Sequence, residues 1–392
     1  MRSTSRSSWI EIDDSALRLN LSWLRRIVHP ALLCAVVKAN AYGHSAKIVA
    51  QIAQDSGAAM VAVATTEEGI ELRDAGITLP ILLLSEPERD GVEEAAARGF
   101  LFSLYSVRTL VELIASWERL LRRYGNLQRP RVHLVVDTGM HRIGCSPREV
   151  AELAQLGLEG GIEIEGLASH FAVADGGEEG KQATLEQIRR FEVARAQLAA
   201  VGVAPKLVHI ANSAGAIAYP ASRYDMVRCG MAMYGYSPSE HIFAPGLKPI
   251  LTLKAKVAHV QRLNSGEAVS YGLKRPLMAP STIATLPIGY ADGVPRMLFD
   301  RGGEVLFGGQ RAPIAGTVTM DQLMIDLGDH SARVGDEVVL LGRQGQESVP
   351  ATEWAELCHT TVYEILTRLG PRLARSVVSG VPEEARDSGV RG

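Results

Sequence analysis

A rhythm constrains this sequence more than any single motif. Between residues 32 and 230 eight short apolar runs recur: LLCAVVK (32–38), MVAVAT (60–65), PILLLSE (80–86), FLFSLY (100–105), VHLVVD (132–137), IEGLASH (164–170), KLVHIAN (206–212) and DMVRCG (225–230). Most are continuously apolar instead of alternating, as expected for strands buried on both faces of a parallel sheet. Between them, stretches such as TTEEGIELRDAG (65–76) and KQATLEQIRRFEVARAQLAAVG (181–202) read as helices, the latter stopped by Gly202 and Pro205. Eight βα units in about 230 residues match the size of a (β/α)8 barrel.

The grammar changes after Pro249. Strand-like segments joined by glycine-containing turns follow, among them ILTLKAKVAHVQRLNSGEAVSYG, STIATLPIGYADG and EVLFGGQRAPIAGTVTMDQLMIDLG, with one helix-like segment at 352–370. The expectation is an α/β chain. An N-terminal (β/α)8 TIM-type barrel occupies residues 1–245, a C-terminal β-rich domain residues 246–380, and a polar tail residues 381–392.

Charge and cysteine usage narrow the function. With 41 basic and 44 acidic residues the net charge is −3, which leaves no electrostatic footprint for nucleic acid or anionic lipid. The first nine residues are not followed by an apolar signal core, and ALLCAVV (31–37) is far short of the ~20 residues a spanning helix needs. Cys34, Cys145, Cys229 and Cys358 are scattered, without zinc spacing, so reduced thiols, a cytoplasmic location and no metal site are expected. Neither a P-loop nor a dinucleotide-binding glycine signature is present. Any phosphate must be held by a local site.

Barrels of this type gather their active-site groups at the C-terminal ends of the strands. The first run delivers Lys38 there, the fifth Asp137 to Arg142, and the sixth His170. Asn212, Ser213 and Gly215 follow the seventh, and Arg228 and Gly230 close the eighth. A lysine ending an apolar strand is costly to bury as an ammonium; it either reaches solvent, loses its proton or forms a Schiff base. Ser213 and Gly230 sit in the loops where such barrels often hold a phosphate, although each alone also suits an ordinary turn. Together with Lys38 they suggest a phosphate-bearing aldehyde cofactor.

AVVKANAYGH (35–44) resembles the pyridoxal-phosphate attachment motif of the alanine racemase family. The resemblance continues, in order, through VDTGMHRIG (136–144), SHFAVAD (169–175), HIANSAG (209–215), VRCGMAMYG (227–235), VSYG (269–272), LPIGYADG (286–293), VTMDQLMID (318–326) and VYEILTRLG (362–370). It spans almost the whole chain, and the family's fold, a barrel followed by a β-rich domain, agrees with the reading above.

The resemblance implies that Lys38 carries pyridoxal 5'-phosphate and serves as one base, with Tyr271 the second base on the opposite face. His170 would contact that tyrosine. Arg228 would face the pyridine nitrogen and keep it unprotonated, which favours racemisation over other chemistry of this cofactor. Tyr42, Ser213, Gly230 and Tyr363 match phosphate contacts, with Asn212 and Met231 in the same cofactor-binding motifs. Arg142, Met320 and Asp321 match the groups around the substrate carboxylate. Tyr290, with Tyr363, matches an entrance gate that favours small side chains. In the family the second domain of one subunit completes the barrel site of the other, so a homodimer with shared sites is implied, interconverting L- and D-alanine and supplying D-alanine to the cell wall.

Two departures stand out. Many relatives carry a carbamylated lysine at the place of Val135, where it braces the arginine matching Arg142, and many carry an arginine at the place of Thr317. Three other readings remain open. A serine or broad-specificity racemase shares every catalytic group. A non-catalytic pyridoxal-phosphate carrier would lack the second domain. A barrel-type amino-acid decarboxylase would place a carboxylate at the position of Arg228.

Overall fold

The computed structural model describes residues 6–379 apart from Asn126; the polar tail expected at 381–392 lies outside them. The described residues divide into two compact units. One holds Leu17–Ala41 and Ala46–Lys248; the other holds the residues up to Ala16, Tyr42–Ser45, and those from Pro249 onward.

The strand β1 (Ser8–Asp13) belongs to the second unit, described below. The first unit contains β2 (Leu32–Val36), β3 (Met60–Val63), β4 (Ile81–Leu83), β5 (Leu101–Leu104), β6 (Arg131–Val135), β7 (Glu163–Ala168), β8 (Leu207–His209) and β9 (Met226–Cys229). Each of the eight apolar runs supplies one strand. They pair in parallel in the order β8-β7-β6-β5-β4-β3-β2-β9. The two end strands meet: Asp225 N–H donates to Val208 O (3.1 Å), and Arg228 N–H to Ala211 O (2.9 Å). The sheet therefore curls into a nearly closed barrel.

The strands are buried because their apolar side chains fill the barrel on one face and meet helices on the other. The helix Val107–Tyr124 shows the second contact: Ser106 caps it by accepting from Thr109 N–H, and Leu110, Leu113, Trp117 and Leu120 recur at helical spacing on its buried face.

The second unit is built on one large sheet. After β1 come β10 (Leu251–Lys256), β11 (His259–Leu263), β12 (Ser281–Leu286), β13 (Glu304–Phe307), β14 (Gln310–Ala315), β15 (Leu323–Asp326), β16 (Glu337–Gln344), β17 (Glu347–Val349) and β18 (Ala374–Val378). Their order is β11-β12-β15-β14-β13-β16-β10-β1-β18, with β17 beside β16.

The expected boundary at 245 needs correction at the N-terminus. SWIEID alternates buried and half-buried side chains, and β1 lies antiparallel to β10 and parallel to β18. The first strand of the chain thus completes the second unit's sheet. The helix-like segment 352–370 is also broken: Ala351–Leu357 and Val362–Thr367 are separate helices, with His359 in a left-handed conformation between them. No described helix is long and apolar enough to cross a membrane.

Candidate active site

Lys38 follows β2 at the C-terminal end of the barrel and opens an unusual turn. Ala39, Asn40 and Ala41 have φ of 51–54° and ψ of 45–52°, and Tyr42 continues with φ 52°, so the chain winds left-handed for four non-glycine residues. That conformation costs about 1–2 kcal/mol per residue, so specific contacts must hold it. Three bonds do: Ala41 N–H to Val37 O (2.8 Å), Ala39 N–H to Glu68 Oε1 (2.6 Å) and Ala46 N–H to Asn40 Oδ1 (2.9 Å). Glu68 Oε2 also accepts from Ala64 N–H at the end of β3 (2.8 Å). Its carboxylate therefore ties the lysine turn to the neighbouring strand, a role the sequence hid behind an acidic helix start.

Burial and the Arg142 cation push the Lys38 amine below the ordinary lysine value, with Arg228 adding to the effect and Glu68 opposing it. Arg142 sits on a loop closed by Asp137, whose carboxylate accepts from Gly139 N–H (2.9 Å), His141 N–H (3.0 Å) and His141 Nδ1 (2.9 Å). Gly144 is required in that loop: its φ is +122°, and a Cβ would lie 2.4 Å from Asp137 N. The Arg142 side chain is exposed and makes no hydrogen bond or ion pair among the described residues. Val135 is buried in β6.

Arg228 is buried in β9 and surrounded by neutral acceptors. Nη2 donates to Ser169 O (2.6 Å), His170 Nδ1 (3.1 Å) and Ile210 O (3.4 Å); Nη1 donates to His209 Nδ1 and to His209 O (3.2 Å). Burial, with Arg142 nearby, pushes the guanidinium down to about 10, so it stays charged at neutral pH. Burial and the Arg228, Arg142 and Lys38 charges hold His170 neutral, well below the usual histidine range. Because Arg228 can only donate, Nδ1 of His170 accepts and Nε2 carries the proton. Gln187 fixes the loop that bears His170, donating to His170 O (2.9 Å) and accepting from Ala172 N–H (2.9 Å).

At the ends of β8 and β9, Ser213 Oγ accepts from Gly230 N–H (3.1 Å) and Ala232 N–H (3.4 Å). Asn212 caps the short helix Ser213–Ala218 by accepting from Gly215 N–H (3.0 Å), and buried Met231 opens the 3-10 turn after Gly230.

In the second unit the rings of Tyr42 and Tyr363 meet at 5.9 Å between centroids. Tyr271 is 73% exposed. Its carbonyl accepts from Thr317 Oγ1 (3.0 Å), and Ser270 Oγ donates back to Thr317 O (2.6 Å), so Thr317, at the place where many relatives carry an arginine, anchors the tyrosine's backbone. Tyr290 and Met320 are joined through the main chain, by Tyr290 N–H to Thr319 O (3.0 Å) and Ala291 N–H to Met320 O (3.0 Å). Gly289 permits the approach, since a Cβ there would lie 2.2 Å from Thr319 O. Arg372 holds Asp321 and also the fully buried Asp292, which Arg6 grips as well. The expected residues thus form two sets. Lys38, Arg142, His170, Asn212, Ser213, Arg228, Gly230 and Met231 lie at one end of the barrel; Tyr42, Tyr271, Tyr290, Met320, Asp321 and Tyr363 lie in the other unit.

Residues 12–238 match the family model "Alanine racemase, N-terminal domain" and residues 250–377 match "Alanine racemase, C-terminal domain". The chain belongs to the alanine racemase family. An alanine racemase of Symbiobacterium thermophilum is 44% identical over 373 residues, 94% of this chain and 97% of the relative. One from Nostoc is 39% identical over 376 residues, 95% and 96% of the two chains. The crystal structure of alanine racemase from Bacillus anthracis with bound L-Ala-P superposes with a TM-score of 0.88 at 39% identity, covering 96% of each chain. That from Clostridium difficile 630 in complex with cycloserine gives 0.87 at 33%, covering 96% of this chain and 97% of that one. Racemisation of an amino acid is therefore the reaction this family member performs, and its barrel and β-rich units are those of the family.

Proposed function

We propose that this member of the alanine racemase family interconverts L- and D-alanine with Lys38 and the partner subunit's Tyr271 as the two bases. The observation that carries the reading is charge at the barrel's end. Lys38, Arg142 and Arg228 gather there, and among the described residues no carboxylate forms an ion pair with any of them. Ser213 and the Gly230 turn lie at the neighbouring strand ends. A depressed amine, uncompensated cations and a hydroxyl beside main-chain N–H groups fit a phosphorylated aldehyde, and pyridoxal 5'-phosphate is the cofactor we assign.

Lys38 would hold it, with Ser213, Gly230, Tyr42 and Tyr363 at the phosphate, and Asn212 and Met231 shaping the same wall. When bound, this cofactor withdraws electrons and so acidifies the Cα–H of an attached amino acid. The remaining steps belong to the protein. Lys38 Nζ, its proton lost more readily than an ordinary lysine's, takes or returns the α-proton on one face. Tyr271 Oη does so on the other. His170 has its Nε2–H free of Arg228 and offers it to the tyrosine oxygen, which lowers the cost of the phenolate. Arg228, fixed as a cation, denies a proton to the ring nitrogen. Arg142 and the main-chain N–H groups at Met320 and Asp321 would receive the substrate carboxylate, the Asp321 side chain being held by Arg372, and Tyr290 with Tyr363 narrows the entrance.

This scheme makes the active unit a homodimer in which the β-rich domain of one chain completes the barrel site of the other. The exposure of Tyr271, Tyr290 (42%), Met320 (52%) and Tyr363 (41%) in the single chain supports it. The enzyme would work in the cytoplasm, supplying D-alanine for peptidoglycan. The test is conversion of L- to D-alanine with and without added pyridoxal phosphate, beside a panel including serine. Conversion of serine at an equal or higher kcat/KM would replace alanine with a broader substrate; no cofactor dependence would remove the mechanism.

A further inference from the structure

Arg228 contacts His170 through Nη2 and, through Nη1, a second buried imidazole chain. His209 Nδ1 faces Arg228 Nη1, and His209 Nε2 lies 2.7 Å from Nδ1 of His133, with ring centroids 5.0 Å apart. Both histidines are fully buried. They come from β8 and β6, and the strand between them, β7, places Gly166 in register with His133. A Cβ on Gly166 would lie 2.5 Å from the His133 ring, so the glycine makes the space in which the two imidazoles meet.

The direction of these bonds follows from what each group can do. A guanidinium has no acceptor, so Nδ1 of His209 must accept. A neutral His209 then carries its proton on Nε2 and donates to His133 Nδ1, which puts the His133 proton on Nε2. That atom has no hydrogen-bond partner among the described residues. An imidazolium at either position would add a second buried cation beside Arg228, which burial and the guanidinium both oppose. The chain has one polarity: Arg228 to His209 to His133. A carboxylate in place of His209 would hold the arginine as firmly but would neutralise it.

We infer that His133 is a positioning residue for racemisation: it fixes His209 as the Nε2–H tautomer, so that Arg228 is held immobile yet electrostatically unpaired. The inference rests on the reading that Arg228 faces the cofactor ring. Were His133 unable to accept, His209 could turn its N–H toward the guanidinium, and Arg228 would lose an acceptor and shift.

The test compares His133→Leu, which removes the acceptor, with His133→Gln, whose amide oxygen can still accept. In cofactor-loaded protein labelled with 15N-histidine, His209 should show an unprotonated Nδ1 and a protonated Nε2, unchanged between pH 6 and pH 9, a range bracketing the ordinary imidazole value of about 6.5. In His133→Leu that signature should give way to a tautomer mixture, and His133→Gln should restore it. Racemisation kcat should fall about 10- to 100-fold in the leucine variant, the size seen when a partner orienting a metal ligand is removed. KM should change little, pyruvate released per racemisation event should rise, and glutamine should recover most of the loss. An Nδ1–H His209 in the wild-type protein, or an unaltered His209 signature in His133→Leu, overturns the proposal. An unaltered ratio of pyruvate to racemisation in Arg228→Gln instead overturns the reading of Arg228 on which it rests.

Discussion

Arg228 Nη2 lies 3.1 Å from His170 Nδ1, and this one bond decides which nitrogen of the histidine carries the proton. With His209 and His133 it makes three imidazoles kept neutral around one guanidinium, all below the usual histidine value, His133 down to about 3. Depressed folded values mean that the unfolded chain binds these protons first. The stability contributed is thus fully present above the ordinary value of 6.5 and is lost as pH falls below it. Each histidine should steepen the loss by up to about 1.4 kcal/mol per pH unit. Replacing His133 by Gln should remove one such contribution. Denaturant unfolding between pH 6.5 and 5, the two proteins side by side, checks this; parallel slopes would show that His133 titrates normally.

Lys38→Ala should abolish racemisation and the visible absorbance of bound cofactor together, while leaving the fold intact because the lysine makes no hydrogen bond or ion pair among the described residues. Borohydride reduction of the wild-type protein followed by peptide mapping should fix the cofactor on Lys38. Label on another lysine would move the site.

Much of this was legible in the sequence, for physical reasons that also mark where legibility ended. The eight barrel strands are continuous apolar runs that no solvent-facing segment could afford, so β2 to β9 stand out. β1 is six residues of alternation whose partners lie over two hundred residues away, at Leu251–Lys256 and Ala374–Val378, and nothing local announces that pairing. Lys38 and Arg228 were visible as cations in apolar strands. His209 and His133 were less so: each lies inside a motif or run, VHLVV and LVHIA, but their contact depends on Gly166 in the strand between. Two polar residues in interior strands separated by one glycine-bearing strand are the signal to look for.

Glu68 offers a sharper test of the left-handed turn. Its two oxygens each accept a main-chain N–H, from Ala39 and Ala64. In Glu68→Gln one oxygen becomes an NH2 group facing another donor, an unsatisfied pair that costs about 1–3 kcal/mol. The turn after Lys38 should loosen, and pyridoxal phosphate should bind about 5- to 150-fold more weakly by that same cost. Absorbance titration measures it. Unchanged affinity with unchanged stability would show that the turn holds without the carboxylate.

Shared sites predict complementation. Lys38→Ala and Tyr271→Phe should each be inactive as pure dimers, yet a mixed dimer contains one site with both native residues. After random exchange of equal amounts, half of the dimers are mixed and half of their sites are intact, so activity should return to about a quarter of wild type. Recovery should follow the kinetics of subunit exchange. Confirmed exchange with no recovery would mean that each chain builds its own site.

The last prediction concerns Arg142 and the apolar residue behind it. In relatives where a carbamylated lysine stands at the position of Val135, dissolved carbon dioxide supplies the negative charge that orients the matching arginine. Val135 is 7% exposed and offers no nitrogen, while the described residues give the Arg142 side chain no carboxylate. An exposed guanidinium remains hydrated at little cost; closing a site around it would strip that water, a penalty of several kcal/mol per ion if uncompensated. An anion must therefore accompany Arg142 in the working enzyme, either the substrate carboxylate or a small inorganic ion. Removing bicarbonate at fixed pH and ionic strength should leave kcat unchanged. Val135→Lys should be no more active than wild type in bicarbonate-free buffer, because its unmodified ammonium would repel Arg142, and should respond to added bicarbonate where the wild-type protein does not. A clear bicarbonate activation of the wild-type protein would mean that another lysine carries the carbamate, and the account of Arg142 would fail.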